Sequence, residues 1–163
     1  MILHTTIKNT LGRILLVSNG PALTGLFFQD EKHRPAPGPG WQSAPDHPLF
    51  VGVENQLIEY LSGNRRQFEI PHQPQGTPFQ KIVWEAISTI PYGVTASYRD
   101  IAKEVENPNA ARAVGTAAGR NPLPVIIPCH RVIGQNGALT GYGGGLERKA
   151  FLLDLEKRST KRC

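Results

Sequence analysis

The sequence predicts an α/β protein of the α+β type, with a strand-rich N-terminal half and a mainly helical C-terminal half. Short β-prone segments separated by glycine-containing turns fill the first 30 residues, whereas helical periodicity dominates from residue 77 onward. Residues 72–76, rich in Pro, Gly and Gln, separate the two patterns and suit a linker. We therefore expect two domains, residues 1–75 and 76–163, in a chain whose 39% hydrophobic residues can build a packed core.

The N-terminal half is predicted to be an antiparallel meander followed by a helix. Three segments rich in Ile, Leu, Val and Thr predict the strands: Met1 to Ile7, Arg13 to Ser18 and Ala22 to Phe28. Prolines and glycines exclude a helix over residues 35–40, and a helix is expected from about Leu49 to Gly63. Its inward face carries four apolar residues: Val53, Leu57, Ile58 and Leu61. Phe68 to Ile70 predicts a further strand, and the absence of an obvious nucleophile indicates a scaffold.

The C-terminal half begins with a helix whose start is clear. Thr77 as N-cap, Pro78 at the first helical position and Gln80 three residues after the cap form a capping box. Apolar residues then recur at helical spacing: Phe79, Ile82, Val83, Ala86, Ile87 and Ile90. Pro91-Tyr92-Gly93 ends the helix. This pattern predicts a core helix, with Trp84 lying off the apolar stripe.

Residues 97–119 have the pattern of a helix-turn-helix. Ser97 can cap a first helix, residues 106–108 break it, and Asn109 can cap a second helix from Ala110 to Ala118 that Gly119 ends. The first helix carries three apolar residues: Ile101, Ala102 and Val105. The second helix is built almost entirely of small residues: Ala110, Ala111, Ala113, Val114, Gly115, Thr116, Ala117 and Ala118.

Arg112 is the only long polar side chain of this second helix. Small side chains allow a close approach, either to a protein core or to a nucleic acid. The net charge of +5 comes from the half after residue 75, which holds 12 Lys or Arg and 7 Asp or Glu. A basic half favours a polyanion as partner, most often nucleic acid, although charge alone is equally compatible with a solvated basic surface. Arg112 favours DNA as the partner of this helix. The alternative is that Arg112 pairs with a carboxylate at the protein surface.

Cys129 stands in the motif most suggestive of chemistry. Residues 124–127 are β-prone and predict a short buried strand that stops at Pro128, directly before Cys129, His130 and Arg131. An imidazole that takes the thiol proton and a nearby cation are what activate a cysteine. The alternative is an inert buried cysteine. We expect Cys129 and Cys163 to be reduced thiols, because two cysteines cannot build a disulfide framework.

The C-terminal helix supplies a candidate third member of this site. Leu146, Ala150 and Leu153 are predicted to form its inward stripe, which also turns the carboxylate of Glu156 inward. A carboxylate in that position needs a partner, and an imidazole would give the nucleophile, base and orienting residue of hydrolase triads. The alternatives are that Glu156 lies at a frayed helix end beside Lys157, and that the preceding glycine run 141–145 is only a linker.

Nothing in the sequence indicates secretion or membrane insertion. Residues 1–20 lack a basic start followed by a long apolar stretch, and no segment approaches the roughly 20 apolar residues that span a bilayer. A cytoplasmic protein is therefore expected.

Together these motifs resemble the O6-alkylguanine-DNA alkyltransferases, also called methylated-DNA-protein-cysteine methyltransferases. The resemblance runs from about Thr77 to Glu156 and rests on segments that occur in the family's order: Tyr98, Ala110 to Gly115, Asn121-Pro122, Pro128 to Ile133, Gly141 to Gly145 and Glu156. It implies an RNase-H-like fold for the N-terminal half. It also implies suicidal repair, in which a cysteine accepts the alkyl group of O6-alkylguanine once, and it leaves O4-alkylthymine open as a second substrate.

The resemblance further implies a role for each matching residue. Cys129 would accept the alkyl group, His130 would act through water as the base, Glu156 would orient His130, Asn121 would brace the turn, and Tyr98 would polarise guanine N3. Arg112 would fill the gap left by the flipped nucleotide. The rest of the helix would lie in the minor groove through Ala110, Ala111, Ala113, Gly115 and Thr116. The guanine pocket would be lined by Val132, Tyr142 and Gly143.

The resemblance implies a monomer that binds double-stranded DNA carrying O6-alkylguanine and needs no cofactor. Some family members bind zinc in the N-terminal domain, but residues 1–75 contain no cysteine, so no metal site of that type is expected. Gly143 replaces a residue that has a side chain in some relatives. A related group lacks the cysteine, and Cys129 argues against that assignment.

Two other functions remain open at this point. One is a helix-turn-helix regulator whose cysteine senses damage, and the other is a Cys-His-Glu hydrolase. A one-to-one endpoint with no sequence-specific operator would separate repair from both of them.

Overall fold

The computed structural model describes residues 1–31 and 34–160. The chain forms two compact units, Met1–Gln75 and Gly76–Cys163. The predicted α+β class is confirmed. The predicted thiol of Cys163 lies outside the described residues. No helix in the described part of the chain is both long and apolar enough to cross a bilayer.

The first unit is a four-stranded sheet with one long helix. The strands are β1 (Ile2–Asn9), β2 (Gly12–Ser18), β3 (Leu23–Phe28) and β4 (Trp41–Ser43), in the order β3-β2-β1-β4. The predicted meander is confirmed, since β1 pairs antiparallel with β2 and β2 with β3. The parallel pairing of β4 with β1 was not predicted, because three residues after a proline and glycine loop show no alternation.

Helix α1 (Pro48–Leu61) begins one residue before the predicted start, at a proline that His47 caps. Its buried face consists of Phe50, Val53, Leu57 and Tyr60. Ile58, predicted to face inward, is 54% exposed. The strand predicted over Phe68 to Ile70 does not form, because the pairing lies further along the chain, where Leu23 bridges His72.

The second unit is mainly helical. Its helices are α2 (Pro78–Ser88), α3 (Tyr98–Glu104), α4 (Ala111–Gly119) and α5 (Leu146–Thr160), and two short strands, β5 (Ala96–Ser97) and β6 (Val132–Ile133), pair in parallel. The capping box predicted at Thr77 is confirmed, and Ser97 caps α3 in the same way. These caps satisfy the first free N–H groups of each helix, which is why both starts could be predicted.

The buried face of α2 differs from the predicted apolar stripe. Ile82 is 52% exposed, whereas Trp84 is buried and its Nε1 donates a hydrogen bond of 2.8 Å to the carbonyl of Ala117. This bond ties α2 to the C-terminal part of α4. An indole buried with its N–H satisfied packs as well as an aliphatic residue, so Trp84 takes the inward position.

Asn109 is not the cap of α4, contrary to prediction. The N-cap is Ala110, which has no side-chain capping bond, because the turn closes earlier through a bond of 2.9 Å from the Ala110 N–H to the Asn107 carbonyl. The two helices still form the predicted helix-turn-helix sequence. Val114, Ala117 and Ala118 are buried, which leaves the opposite face of α4 exposed.

Candidate active site

Cys129 follows a tight turn, not the predicted strand. Pro124 and Ile127 form only an isolated bridge, and Val125 has φ 75°, a value that a β-branched residue rarely adopts. The N–H of Ile127 reaches back to the Leu123 carbonyl at 2.8 Å, so the chain curls where β-propensity alone predicts extension. Cys129 then starts a short 3₁₀ helix, Cys129–Arg131, and is 3% exposed.

The side chain of Asn121 holds this turn in place. Its Oδ1 accepts from the N–H of Leu123 at 2.9 Å, and its Nδ2 donates to the carbonyl of Ile127 at 2.9 Å. The same Nδ2 donates to the sulfur of Cys129 at 3.1 Å. One buried amide therefore closes the turn and provides a hydrogen-bond donor for the sulfur, a contact that stabilises a thiolate.

Glu156 lies at the centre of a buried ionic cluster. Its carboxylate contacts His130 Nε2 at 2.7 Å, and it accepts from Arg131 at 2.8 and 2.9 Å and from the N–H of Gly93 at 3.1 Å. Arg131 also donates to the Ile90 carbonyl at 2.7 Å. Glu156 therefore points inward, with the imidazole among its partners, and the alternative of a frayed helix end does not apply.

The predicted inward stripe of α5 is nevertheless wrong. Leu146 is 51% exposed and Ala150 is also exposed, whereas the buried residues are Lys149, Leu152, Leu155, Glu156 and Ser159. The helix is rotated so that two charged residues face the interior, because each finds hydrogen-bond partners there. Hydrophobic periodicity cannot detect such a face.

The charge states of this cluster follow from its burial and contacts. Burial would raise the pKa of Glu156, but hydrogen bonds and charges from His130 and Arg131 outweigh it and hold this pKa well below its ordinary value. Burial lowers the pKa of His130 more than Glu156 raises it. At neutral pH the site thus holds a carboxylate, a guanidinium and a neutral imidazole able to take up a proton.

Tyr98 and Lys149 form a second polar group beside the cysteine segment. The Tyr98 hydroxyl donates to the Thr140 carbonyl at 2.7 Å, and burial raises the pKa of this phenol, which keeps its proton. Lys149 is fully buried and its Nζ donates to the carbonyls of Val132 at 2.6 Å and Thr140 at 2.7 Å. The sequence interpretation missed Lys149, although it lies two helical turns before Glu156 and hence on the same face.

The residues predicted to line a guanine pocket occupy this same region. Val132 is buried directly after the 3₁₀ helix, and Tyr142 is buried in the glycine-rich loop. Gly143 packs against the end of α4, where an added Cβ would lie 3.2 Å from the Gly119 carbonyl. The loop is therefore fitted to the helix and is more than a linker.

The predicted DNA-facing residues lie on α4 and the turn before it. Arg112, Ala113 and Thr116 are exposed, and Ala110, Ala111 and Gly115 are partly exposed. A cavity of about 580 Å³ runs between α4 and the start of α2, lined by Thr77, Phe79, Gln80, Asn109, Ala110, Arg112, Ala113, Thr116 and Ala117. The Tyr98 ring lies against Gly115 of α4: a Cβ added at Gly115 would be 3.7 Å from the ring carbons. The small-residue helix thus contacts the polar group around Lys149.

The fold and this site define a class: a two-domain α+β protein with a buried cysteine, histidine and glutamate beside a helix-turn-helix. The N-terminal half matches the family model "6-O-methylguanine DNA methyltransferase, ribonuclease-like domain" over residues 2–74, and the C-terminal half matches the model of the DNA binding domain of the same family over residues 78–158. The chain belongs to the 6-O-methylguanine DNA methyltransferase family.

Relatives match over almost the whole chain. A Methylated-DNA--protein-cysteine methyltransferase of Mycolicibacterium paratuberculosis is 46% identical and covers 97% of this chain and 94% of its own length. The constitutive methyltransferase of this name from Bacillus subtilis is 42% identical, with 97% of both chains covered. The crystal structure of Mycobacterium tuberculosis OGT in complex with DNA superposes with a TM-score of 0.89 at 44% identity, covering 96% of this chain and 94% of the other.

Proposed function

We propose that this protein repairs O6-alkylguanine in double-stranded DNA by moving the alkyl group to Cys129, once per molecule. The observation that carries the proposal is the contact between the Asn121 amide and the Cys129 sulfur, in a chain segment whose next residue, His130, is oriented by Glu156. A sulfur nucleophile, a neutral base and a carboxylate that stabilises the protonated base are what such a displacement requires.

The proton moves first in this mechanism. The neutral imidazole of His130 takes the proton of the Cys129 thiol through a water molecule, and the resulting imidazolium is stabilised by Glu156 at 2.7 Å. The Arg131 guanidinium already shares that carboxylate, so Glu156 stays ionised and fixes the ring through Nε2. The proton is exchanged at the other ring nitrogen, Nδ1.

The alkyl group moves second. The sulfur attacks the alkyl carbon, the S–C bond forms as the C–O6 bond breaks, and the bonding electrons stay on the guanine. The Tyr98 phenol keeps its proton because burial raises its pKa; when the base enters, the hydroxyl turns its hydrogen bond from the Thr140 carbonyl to guanine N3 and stabilises the departing base. The guanine anion then takes up one proton from water while the His130 imidazolium returns the former thiol proton to water, so the protons balance and the protein keeps a thioether. No water or neighbouring group cleaves a thioether readily, so one molecule repairs one lesion.

Access to the lesion requires the base to leave the duplex. The alkyl carbon is stacked inside DNA, and extrusion costs about a few kcal/mol, which phosphate contacts and an inserted side chain offset. Exposed small residues on α4 suit a minor groove only about 6 Å wide, and the exposed Arg112 can occupy the vacated position in the stack. O4-alkylthymine presents a similar oxygen-bound alkyl carbon and is a second candidate substrate.

We also place the protein in the cytoplasm as a monomer that needs no cofactor. A single-use thiol must remain reduced until it meets a lesion, and the cytoplasm keeps thiols reduced. The reaction needs no further group, because the thiolate and the lesion supply all bonding electrons.

Mass spectrometry after exposure to an O6-methylguanine duplex tests this function. We expect 14 Da, about one methylene, on the peptide that contains Cys129, with one lesion lost per protein. The Cys129→Ser variant should bind the same duplex and leave the lesion intact. An unmodified Cys129 after complete repair would refute the proposal, and repeated turnover on an ester would instead favour a hydrolase.

A further inference from the structure

The turn at residues 91–93, which follows α2, also contacts the buried ionic cluster. We propose that Tyr92 and Gly93 are positioning residues, which hold the Glu156 carboxylate in the orientation that the His130 base requires. The inference rests on the proposed alkyl transfer. Both residues act through the cluster and not on the reacting atoms. The sequence pattern indicated only that this turn ends the helix.

Both oxygens of the Glu156 carboxylate are held by donors from separate parts of the chain. Oε2 contacts His130 Nε2 at 2.7 Å and accepts from Arg131 Nη2 at 2.9 Å. Oε1 accepts from Arg131 Nε at 2.8 Å and from the main-chain N–H of Gly93 at 3.1 Å. An arginine and a carboxylate joined by two parallel bonds can still move together as one planar unit. The Gly93 N–H comes from a different part of the chain and fixes that unit in place.

The Arg131 guanidinium is held by the same segment. Its Nη1 donates to the Ile90 carbonyl at 2.7 Å, directly before the turn. The ring of Tyr92 lies with its centre 5.6 Å from the guanidinium carbon, which is within the range of a cation–π contact. Both members of the ion pair therefore contact residues 90–93, and this segment sets where the pair lies.

The position of Gly93 suits a glycine for two reasons. Its φ is 78°, in the left-handed region that residues with a side chain rarely adopt. A Cβ added here would overlap Oγ1 of Thr160, a hydroxyl that donates to the main-chain carbonyl of Glu156 at 2.6 Å. The turn thus packs directly against the last turn of α5. This close approach brings the N–H of Gly93 within reach of the carboxylate.

Three glycine variants separate the N–H contact from backbone strain. Gly93→Val places a β-branched side chain at a positive φ, so the turn must rearrange and the N–H leaves Glu156. Gly93→Asn brings a Cβ to the same place beside Thr160, but asparagine tolerates the left-handed conformation and keeps the N–H where it is. Gly40→Val is the matched control. Gly40 has φ 85° and lies in the first unit, and a Cβ added there would meet no atom of the described residues within 4 Å.

Single-turnover methyl transfer from an O6-methylguanine duplex, measured over a range of DNA concentrations, tests the N–H contact. Circular dichroism first establishes that each variant is folded at the temperature used. We expect the maximal rate of Gly93→Val to fall about tenfold or more, the usual effect of losing a hydrogen bond to a charged group. The DNA concentration that gives half of this rate should not change, because Glu156 is buried away from the DNA-facing helix surface.

Gly93→Asn should transfer the methyl group at nearly the wild-type rate, and Gly40→Val should do so in spite of a lower stability. A wild-type rate in Gly93→Val, or an equal loss in Gly93→Asn, would overturn the role of the N–H. A loss of DNA affinity alone in Gly93→Val, or an equal loss of rate in Gly40→Val, would also overturn it.

Two Tyr92 variants test the turn without a change of backbone, and they decide the question if Gly93→Val does not fold. Tyr92→Leu loses the aromatic ring, whereas Tyr92→Phe keeps it. We expect the maximal rate of Tyr92→Leu to fall about two- to fivefold, in line with a modest cation–π contact, and that of Tyr92→Phe to match the wild type. Val94→Ala, at an exposed position next to the turn, is the control. Equal rates in Tyr92→Leu and Tyr92→Phe would overturn the role of the ring.

Failure of the proposed function would be distinguishable from failure of this inference. The wild-type protein would then take no methyl group from DNA, a result that is known before any variant is compared. If the function holds and only the inference fails, the wild-type protein and Gly93→Val both transfer the group at the same rate.

Discussion

The side-chain amide of Asn121 donates to the sulfur of Cys129 across 3.1 Å while it also closes the turn that presents the cysteine. The two functions belong to one Nδ2 group, which is shared between the Ile127 carbonyl and the sulfur. The geometry of the turn and the reactivity of the thiol are therefore coupled through a single buried side chain.

Replacing Asn121 should consequently affect stability and reactivity together. Asn121→Ala leaves the Ile127 carbonyl and the Leu123 N–H buried without this partner, a change that costs about 1–3 kcal/mol per group. Urea unfolding should report the lower stability, and the rate of methyl transfer should fall because the sulfur loses a donor. Asn55→Ala, at an exposed position of α1, is the control and should change neither measurement.

Asn121→Asp keeps one contact of the turn, loses both Nδ2 hydrogen bonds and adds a charge. The carboxylate can still accept from the Leu123 N–H, but it cannot donate to the sulfur and places a negative charge beside it. We expect a slower methyl transfer than in Asn121→Ala. Methyl transfer in Asn121→Asp as fast as in the wild-type protein would show that donation to Cys129 does not matter for catalysis.

Glu156→Gln should cost more stability than any surface substitution. The change removes the negative partner of Arg131 from a cluster in which the glutamate is 1% exposed, and breaking such a buried pair costs about 3–5 kcal/mol. Methyl transfer should also slow, since the His130 imidazolium loses its counter-charge. Denaturant unfolding and single-turnover kinetics measure the two effects, with the exposed Glu147→Gln as control. Wild-type kinetics in Glu156→Gln would contradict the assigned role.

Acid pH should weaken the fold in two stages. The pKa of His130 is lowered in the folded protein, so the unfolded chain binds more protons below about pH 6.5 and stability falls as the pH drops through that region. The lowered pKa of Glu156 adds a further loss below about pH 4.5. Urea midpoints measured between pH 8 and 4, roughly the span of both groups, test this sign.

The variant His130→Gln should remove the first stage of that loss and leave the second. His72→Gln, at an exposed histidine, should leave both stages unchanged. The methyl-transfer rate should stay near its maximum down to about pH 6.5, because the imidazole remains a neutral base until more acidic pH. A rate that already falls between pH 8 and about 7 would contradict the neutral His130 of the mechanism.

Arg112→Ala should weaken binding to lesion-bearing duplex without loss of stability. The side chain is exposed on α4, so its removal leaves the core intact, but no group then occupies the gap left by the extruded base. We expect affinity to fall about tenfold or more, as fluorescence anisotropy would show. Lys103→Ala removes an equal charge from α3 and should change affinity only slightly. Equal losses of affinity in the two variants would show that Arg112 contributes only general electrostatic attraction to DNA.

Features encoded in a few consecutive residues were predictable from the sequence. The capping box at Thr77, the cap at Ser97 and the antiparallel meander each depend on side chains close together in the chain, and all three form. The predictions failed where contacts between residues far apart in the chain determine the local structure. Residues 124–127 have strand propensity, yet the Asn121 side chain bends them into a turn that places Val125 at φ 75°.

The buried face of the C-terminal helix α5 was also beyond prediction from local sequence. Apolar periodicity selected Leu146 and Ala150 as inward residues, whereas the structure buries Lys149 and Glu156. A hydrophobic pattern assigns charged side chains to the surface, because burial of a charge is unfavourable until its partners are known. Those partners, Val132 and Arg131 among them, come from other parts of the chain.

By itself, the sequence determined the order of the two halves, the helix-turn-helix and the motif around Cys129, since each is carried by local propensity, capping and turn chemistry. Only the tertiary structure decided that the Asn121 amide contacts the sulfur, that Glu156 is shared by His130 and Arg131, and that Lys149 is buried. The physical reason is that a polar or charged group is stable in the interior only beside specific partners. Those partners are brought together by folding and not by their positions in the chain.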